Sequence, residues 1–378
     1  MSTVIRLTDR SRTETDWTCE RERFFLTEYG ERGIVRASTQ KELDFGTDIH
    51  VALEELARRL SEADVVGDLA PRLYSKVLRR ETERLGSERA RELAAIAEGM
   101  FRGYCATVWP QVLQLYDIVA VEPECLRKLS PSLSFMSRPD LILRRKADGT
   151  FWYWEYKTTG QRAEDWLKQW PKAVQLHSGC LAAEETLGLK IEGCIVQGLS
   201  KGYEKDGHSR SPFCEGWRFL GGGTITFSYV YMRSKGWERF FAGEHPYGIA
   251  GWIEEMPQDL LEKQFFRTPP IYPRKDLVDQ FFAQLVHRED AISSAKTNIK
   301  LISESNRPDA AKAALIDRIM AGTFPMKFKA CSGRYGKYDC PMLEACWNPR
   351  VASDPLGSGL YVPREPHHVP ERQLLGLP

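Results

Sequence analysis

Residues 137–159, SRPDLILRRKADGTFWYWEYKTT, constrain this chain more than any other stretch. The apolar run 141–143 leads through basic residues to Asp148-Gly149, and a second run, rich in aromatic and branched side chains, follows over 150–156. Two extended runs joined at an Asp-Gly pair predict a β-hairpin. Side chains alternate along a strand, so Glu155 and Lys157 leave one face while Trp154 and Tyr156 leave the other. Asp140 stands where the first strand begins, and the fold-back returns its carboxylate to the side of Glu155. Two carboxylates and an amine then share one patch. Among so many apolar neighbours the acids need compensation, and a divalent cation held between them supplies it. Lys157 would reach a water or a phosphate oxygen at that cation. The competing reading makes Glu155 and Lys157 two solvated residues on an outward strand face.

Composition matters here chiefly for what it leaves open. A chain of 378 residues supports one large core or two modest ones. Its formal charge of +1 argues neither for nor against a polyanionic partner, so a nucleic-acid site has to be a local basic patch. No apolar run approaches the ~20 residues of a membrane span, and residues 1–18 lack a signal-peptide core. The expectation is a soluble, cytoplasmic protein with no membrane partner. Its nine cysteines are then reduced thiols, and clustered ones point to metal.

Upstream of the hairpin, Ile49, Leu53, Leu56 and Leu60 recur at helical intervals within residues 43–60, after Gly46-Thr47. His50 flanks that stripe. Taken alone, such a histidine is a half-buried packing residue. With Pro139, Asp140, Glu155 and Lys157 following in order, the chain resembles the PD-(D/E)xK nuclease superfamily, and the Gly-Thr-x-x-His arrangement resembles its RecB-type branch. The resemblance implies an α/β, restriction-endonuclease-like fold: a central mixed sheet flanked by helices, with helical additions. It also implies that His50, Asp140, Glu155 and the backbone carbonyl of Tyr156 hold Mg²⁺ or Mn²⁺, with Lys157 catalytic beside them. Arg138, Thr158 and Gln175 would meet the DNA strand. Gln175 fills the first position of the family's Q-x-x-x-Y pattern and counts among the catalytic residues, but Gly179 stands where the tyrosine is expected. Glu122, closing a predicted strand over 118–121, is a supporting acidic candidate.

The remaining chain reads as additions to that core. Residues 61–117 are expected to be a helical insertion, with opposite charges at helical neighbour positions. A helix is predicted over 164–187, a strand over 191–199, a loop over 200–215, a strand over 224–231 and helix over 257–305. Residues 1–350 then form one nuclease domain, followed by an irregular Pro- and Gly-rich tail over 351–378.

Near the end of the chain, Cys331, Cys340 and Cys346 fall among turn formers and basic residues. Three thiolates lack the fourth ligand of a tetrahedral site, and Cys19 could supply it. One cysteine before the nuclease core and three after it resembles the iron–sulfur members of the RecB-type branch, including the AddB nuclease domain and the CRISPR adaptation nucleases. That likeness implies a [4Fe–4S] cluster joining the termini. The spacing departs from it, because eight residues separate Cys331 from Cys340 where the family commonly has two. Zn²⁺ and an unmetallated trio both stay open. In function, the resemblance implies a Mg²⁺- or Mn²⁺-dependent deoxyribonuclease, an exonuclease above all, in DNA recombination, repair or CRISPR-type processing. Its partners would be DNA and a helicase, annealing or CRISPR adaptation protein. Two other readings stand beside it: a nuclease-derived DNA-binding or assembly subunit with weak or no cleavage, and a zinc-stabilised interaction protein.

Overall fold

In the computed structural model, which describes residues 5–37, 44–161, 163–205, 208–219, 225–226, 236–332, 339–366 and 368–377, the hairpin turns at Gly149. That glycine takes a φ of 72°, which a side chain would resist. Asp148 braces the turn by accepting from the backbone N–H of Thr150 at 3.1 Å. The strands Leu141–Arg145 and Phe151–Thr159 pair antiparallel, with Leu141 opposite Trp154 and Leu143 opposite Trp152.

The longer hairpin strand is the middle of a five-stranded sheet. Beyond its partner lies Tyr116–Val121, antiparallel. On its other side runs Ile191–Ser200, parallel, followed by the short edge strand Phe265–Arg267. A parallel neighbour requires a crossover, and residues 163–187 provide it. The continuous helix expected there is instead broken into Ala163–Leu167, a tight turn at Trp170–Lys172 and the helix Val174–Leu187. Pro171 has no N–H to continue the ladder.

Both faces of this sheet are buried. Trp152, Trp154 and Tyr156 pack against the helices Asp44–Arg58, Val65–Leu85 and Ser87–Thr107. Ile142, Tyr153 and Val196 face the helix Val174–Leu187 and the first half of Lys275–Glu304. The alternation predicted for the hairpin therefore sorts its aromatic residues between two cores. Residues 65–115 are three helices, the last being Trp109–Leu115. Among the described residues no helix is long and apolar enough to cross a membrane.

Three further expectations are corrected. The loop over 200–215 contains two short strands, Tyr203–Lys205 and His208–Arg210, paired antiparallel. Within 257–305 the strand Phe265–Arg267 interrupts the helical run, and Phe266 lies over Gly198, where a side chain would collide with its ring. The tail over 351–378 is not irregular throughout. Tyr361–Pro363 pairs with Ile34–Arg36, and helices span Pro349–Ser353 and Val369–Leu374. Burial of Tyr361, Val351 and Ile34 in one satellite core accounts for that order. Of the strand expected over 224–231, Ile225–Thr226 pairs with Glu215–Phe219, and the rest lies outside the described residues.

A second small sheet places Arg6–Asp9 parallel to Leu133–Ser137, which is antiparallel to Cys125–Ser130. The strand Leu133–Ser137 runs directly into Arg138-Pro139-Asp140. This sheet therefore carries the start of the chain to the hairpin.

Candidate active site

Continuing the hairpin register one step past Leu141 and Trp154 sets Asp140 across from Glu155, and a second step sets Pro139 across from Tyr156. Proline has no N–H for the ladder. The Tyr156 N–H, which would meet the proline carbonyl, instead donates to Asp140 Oδ2 at 2.6 Å. On the same strand edge the Tyr156 carbonyl receives nothing from the proline nitrogen. The pairing thus ends in a way that bends the Asp140 carboxylate over the strand.

His50 arrives from the helix Asp44–Arg58, whose Ile49 and Leu53 are buried in the core beneath. Its Nδ1 lies 3.0 Å from Asp140 Oδ1. Glu155 is 4% exposed. Its Oε1 accepts from Lys157 Nζ and, at 2.6 Å, from Gln175 Nε2, while its Oε2 is buried with no hydrogen-bond partner. All five side chains line one cavity of about 590 Å³.

The two acids are pushed in opposite directions. Burial disfavours charge on Asp140, but His50, the Lys157 ammonium and the Tyr156 N–H together hold its carboxyl below the usual carboxylate range. Burial and then the Asp140 charge push Glu155 up, against the pull of Lys157. Burial would lower His50, yet Asp140 raises it. As they stand, the acids are paired with protein donors, and among the described residues no three His, Cys, Asp or Glu side chains form a ready metal-holding group. The buried, partnerless Glu155 Oε2 is nonetheless a site that a cation fits, because an orphaned carboxylate oxygen is costly.

The other predicted residues divide. Arg138 lines the cavity, 3.3 Å from Glu122 and 3.9 Å from Glu124. Glu122 also lines it, raised by burial, with its N–H on the Asp140 carbonyl. Thr158 does not line it; on the opposite strand face, its hydroxyl lies 3.2 Å from where a Cβ at Gly46 would stand. Gly179 leaves room for the Tyr153 ring: a Cβ there would lie 2.8 Å from the Tyr153 hydroxyl. A tyrosine from the central strand thus occupies the space beside Gly179, and it lines the cavity. Sequence reading missed Tyr153, Arg10 and His368, all cavity-lining. Only Tyr153 had a signal, as the residue on Glu155's own strand face.

Far along the chain, the four cysteines come into one neighbourhood. Lys327 donates its N–H to Cys19 Sγ at 3.5 Å, and the Cys340 N–H donates to the Cys331 carbonyl at 2.8 Å. Burial, then Cys340 and the other two thiols, pushes the Cys346 thiol up to about 12.

A restriction-endonuclease-like α/β fold with acid, acid and lysine at the end of its central hairpin is the architecture of a metal-dependent nuclease. The family model of the PD-(D/E)XK nuclease superfamily matches residues 11–213, and the chain belongs to that superfamily. Its members typically use Mg²⁺ or Mn²⁺ and act on DNA. No curated protein matches the sequence.

Proposed function

We propose that this chain is a RecB-type exodeoxyribonuclease serving DNA recombination, repair or CRISPR-type processing. The supporting observation is the meeting of Asp140, Glu155 and Lys157 in one cavity with Glu155 Oε2 buried and partnerless. Asp140, Glu155, His50 and the Tyr156 carbonyl would hold Mg²⁺ or Mn²⁺. When bound, the cation supplies a water of lowered pKa and charge to oppose that of the phosphate.

The chain's own residues do the rest. Lys157, now on Glu155, turns its ammonium to the attacking water or to the phosphate oxygens as negative charge builds there. Gln175 fixes Glu155 from the other side, and Arg138 sits at the wall where a strand would pass. The shared neighbourhood of Cys19, Cys331, Cys340 and Cys346 supports a terminal cluster, [4Fe–4S] ahead of Zn²⁺, around which the thiols would have to close and which would staple the ends of the chain. Iron and sulfide content after anaerobic purification tests that assignment.

The function is tested with linear and circular DNA in Mg²⁺ or Mn²⁺. Linear end-labelled DNA should be degraded and circular DNA spared, and Lys157→Ala should lower the rate by roughly 10²-fold or more. Cleavage of circles would point to an endonuclease. DNA binding without cleavage would point to a nuclease-derived assembly subunit.

A further inference from the structure

Gln175 presents a side-chain amide whose two ends are nearly alike in shape and opposite in chemistry: one donates, the other accepts. Next to the Glu155 carboxylate only the donating end is favourable. Rotated by half a turn, the amide would set its carbonyl against Glu155 and leave two acceptors facing each other. What decides the orientation on the far side is Arg10, whose Nη1 donates to Gln175 Oε1. Arginine carries donors and no acceptor, so it can satisfy only that oxygen.

Arg10 is placed by the second sheet. Asp9 pairs with Met136 in the parallel register, and its carboxylate caps the helix Arg10–Thr18 by accepting from the Arg12 N–H at 2.9 Å. The chain start is thereby fixed beside the strand that runs into Asp140. The other contact of Arg10, Nε to Glu14 Oε2 at 3.6 Å, is solvent-exposed and contributes little. Arg10 lies one residue before the span matched by the nuclease family.

We propose that Arg10 is a positioning residue of the cation site: it locks the Gln175 amide with its NH₂ toward Glu155. Oε1 is then held by Lys157 and Gln175 together, and Oε2 is the oxygen left for the ion. The inference rests on the cation site proposed above and deepens it. Loss of Arg10 leaves Gln175 Oε1 without its donor and the side chain free to swing away from Glu155, so the carboxylate loses a fixed donor.

The test is calorimetric titration of the full chain with Mn²⁺, with far-UV circular dichroism and melting to verify folding. Arg10→Ala and Gln175→Ala should each weaken Mn²⁺ roughly tenfold, the double variant no further than Gln175→Ala alone, and Arg10→Lys by about twofold at most. Unchanged Mn²⁺ affinity in Arg10→Ala overturns the proposal, and so does a further tenfold loss in the double variant, which would mean that the two act independently. Failure of the function reading looks different: a wild-type chain that binds Mn²⁺ yet leaves linear DNA intact. A wild-type chain that binds no Mn²⁺ overturns both.

Discussion

Glu155 accepts two hydrogen bonds on one oxygen, and its other oxygen is buried with none. An unsatisfied buried acceptor costs roughly 1–3 kcal/mol, and that cost is tolerated where a ligand later removes it. Replacement of the charge should therefore relieve the fold while removing the chemistry. Glu155→Gln is expected to unfold in urea within about 1 kcal/mol of wild type, or at higher stability, and to lose DNA cleavage. A loss of several kcal/mol would instead make Glu155 a structural member of the Lys157 pair. Asp140 differs, because both of its oxygens already have partners.

Between the central strand and the helix Val174–Leu187, the space of a missing side chain at Gly179 is taken by the Tyr153 ring. Gly179→Ala should force that ring aside and cost ~1–3 kcal/mol in denaturant unfolding, as overpacked cores do. An unchanged midpoint would show that ring and helix separate easily. The hairpin itself was legible because its signals are local: Asp148-Gly149 for the turn, alternation for the faces, and Asp140 one step before the pairing begins. Phe265–Arg267 was not legible, since three residues carry no periodicity and their place is set by Gly198 on another strand. Arg10 was invisible for the same reason. It reaches Gln175 only through the parallel pairing of Arg6–Asp9 with Leu133–Ser137, and nothing near Arg10 in the sequence signals that contact. Thr158, expected at the DNA strand, lies on the strand face away from Lys157, as alternation along the strand already requires.

Across the whole molecule, the start of the chain is tied to the long helix Lys275–Glu304 by buried charge. Arg23 meets Glu28 at 2.9 Å and Glu289 at 3.2 Å, and Lys296 meets Glu28 at 2.7 Å. Burial pushes Glu28 up, but Arg23 and Lys296 outweigh it and hold its carboxyl below the usual range. A depressed folded value means that the stabilisation is fully present above the unfolded value of ~4.3 and is lost as pH falls through the folded one. Stability in urea should hold from neutral pH to that range and then decline. Glu28→Gln should cost ~3–5 kcal/mol at neutral pH, as removal of one partner from a buried pair does, and should flatten the acid decline. An acid slope identical to wild type would remove Glu28 from this role. The pairing of Tyr361–Pro363 with Ile34–Arg36 closes the two ends of the chain in the same way, by contacts far apart in sequence.

As a metal site, the cavity depends on a cation reaching the Glu155 oxygen that the protein leaves unpartnered. Crystals soaked in Mn²⁺ and measured at the manganese absorption edge test this most directly. The predicted result is an anomalous peak within coordination distance of Glu155 Oε2 and an Asp140 oxygen, with Lys157 beside it. Ordered crystals with no peak in that cavity, or with manganese bound only elsewhere, would contradict it.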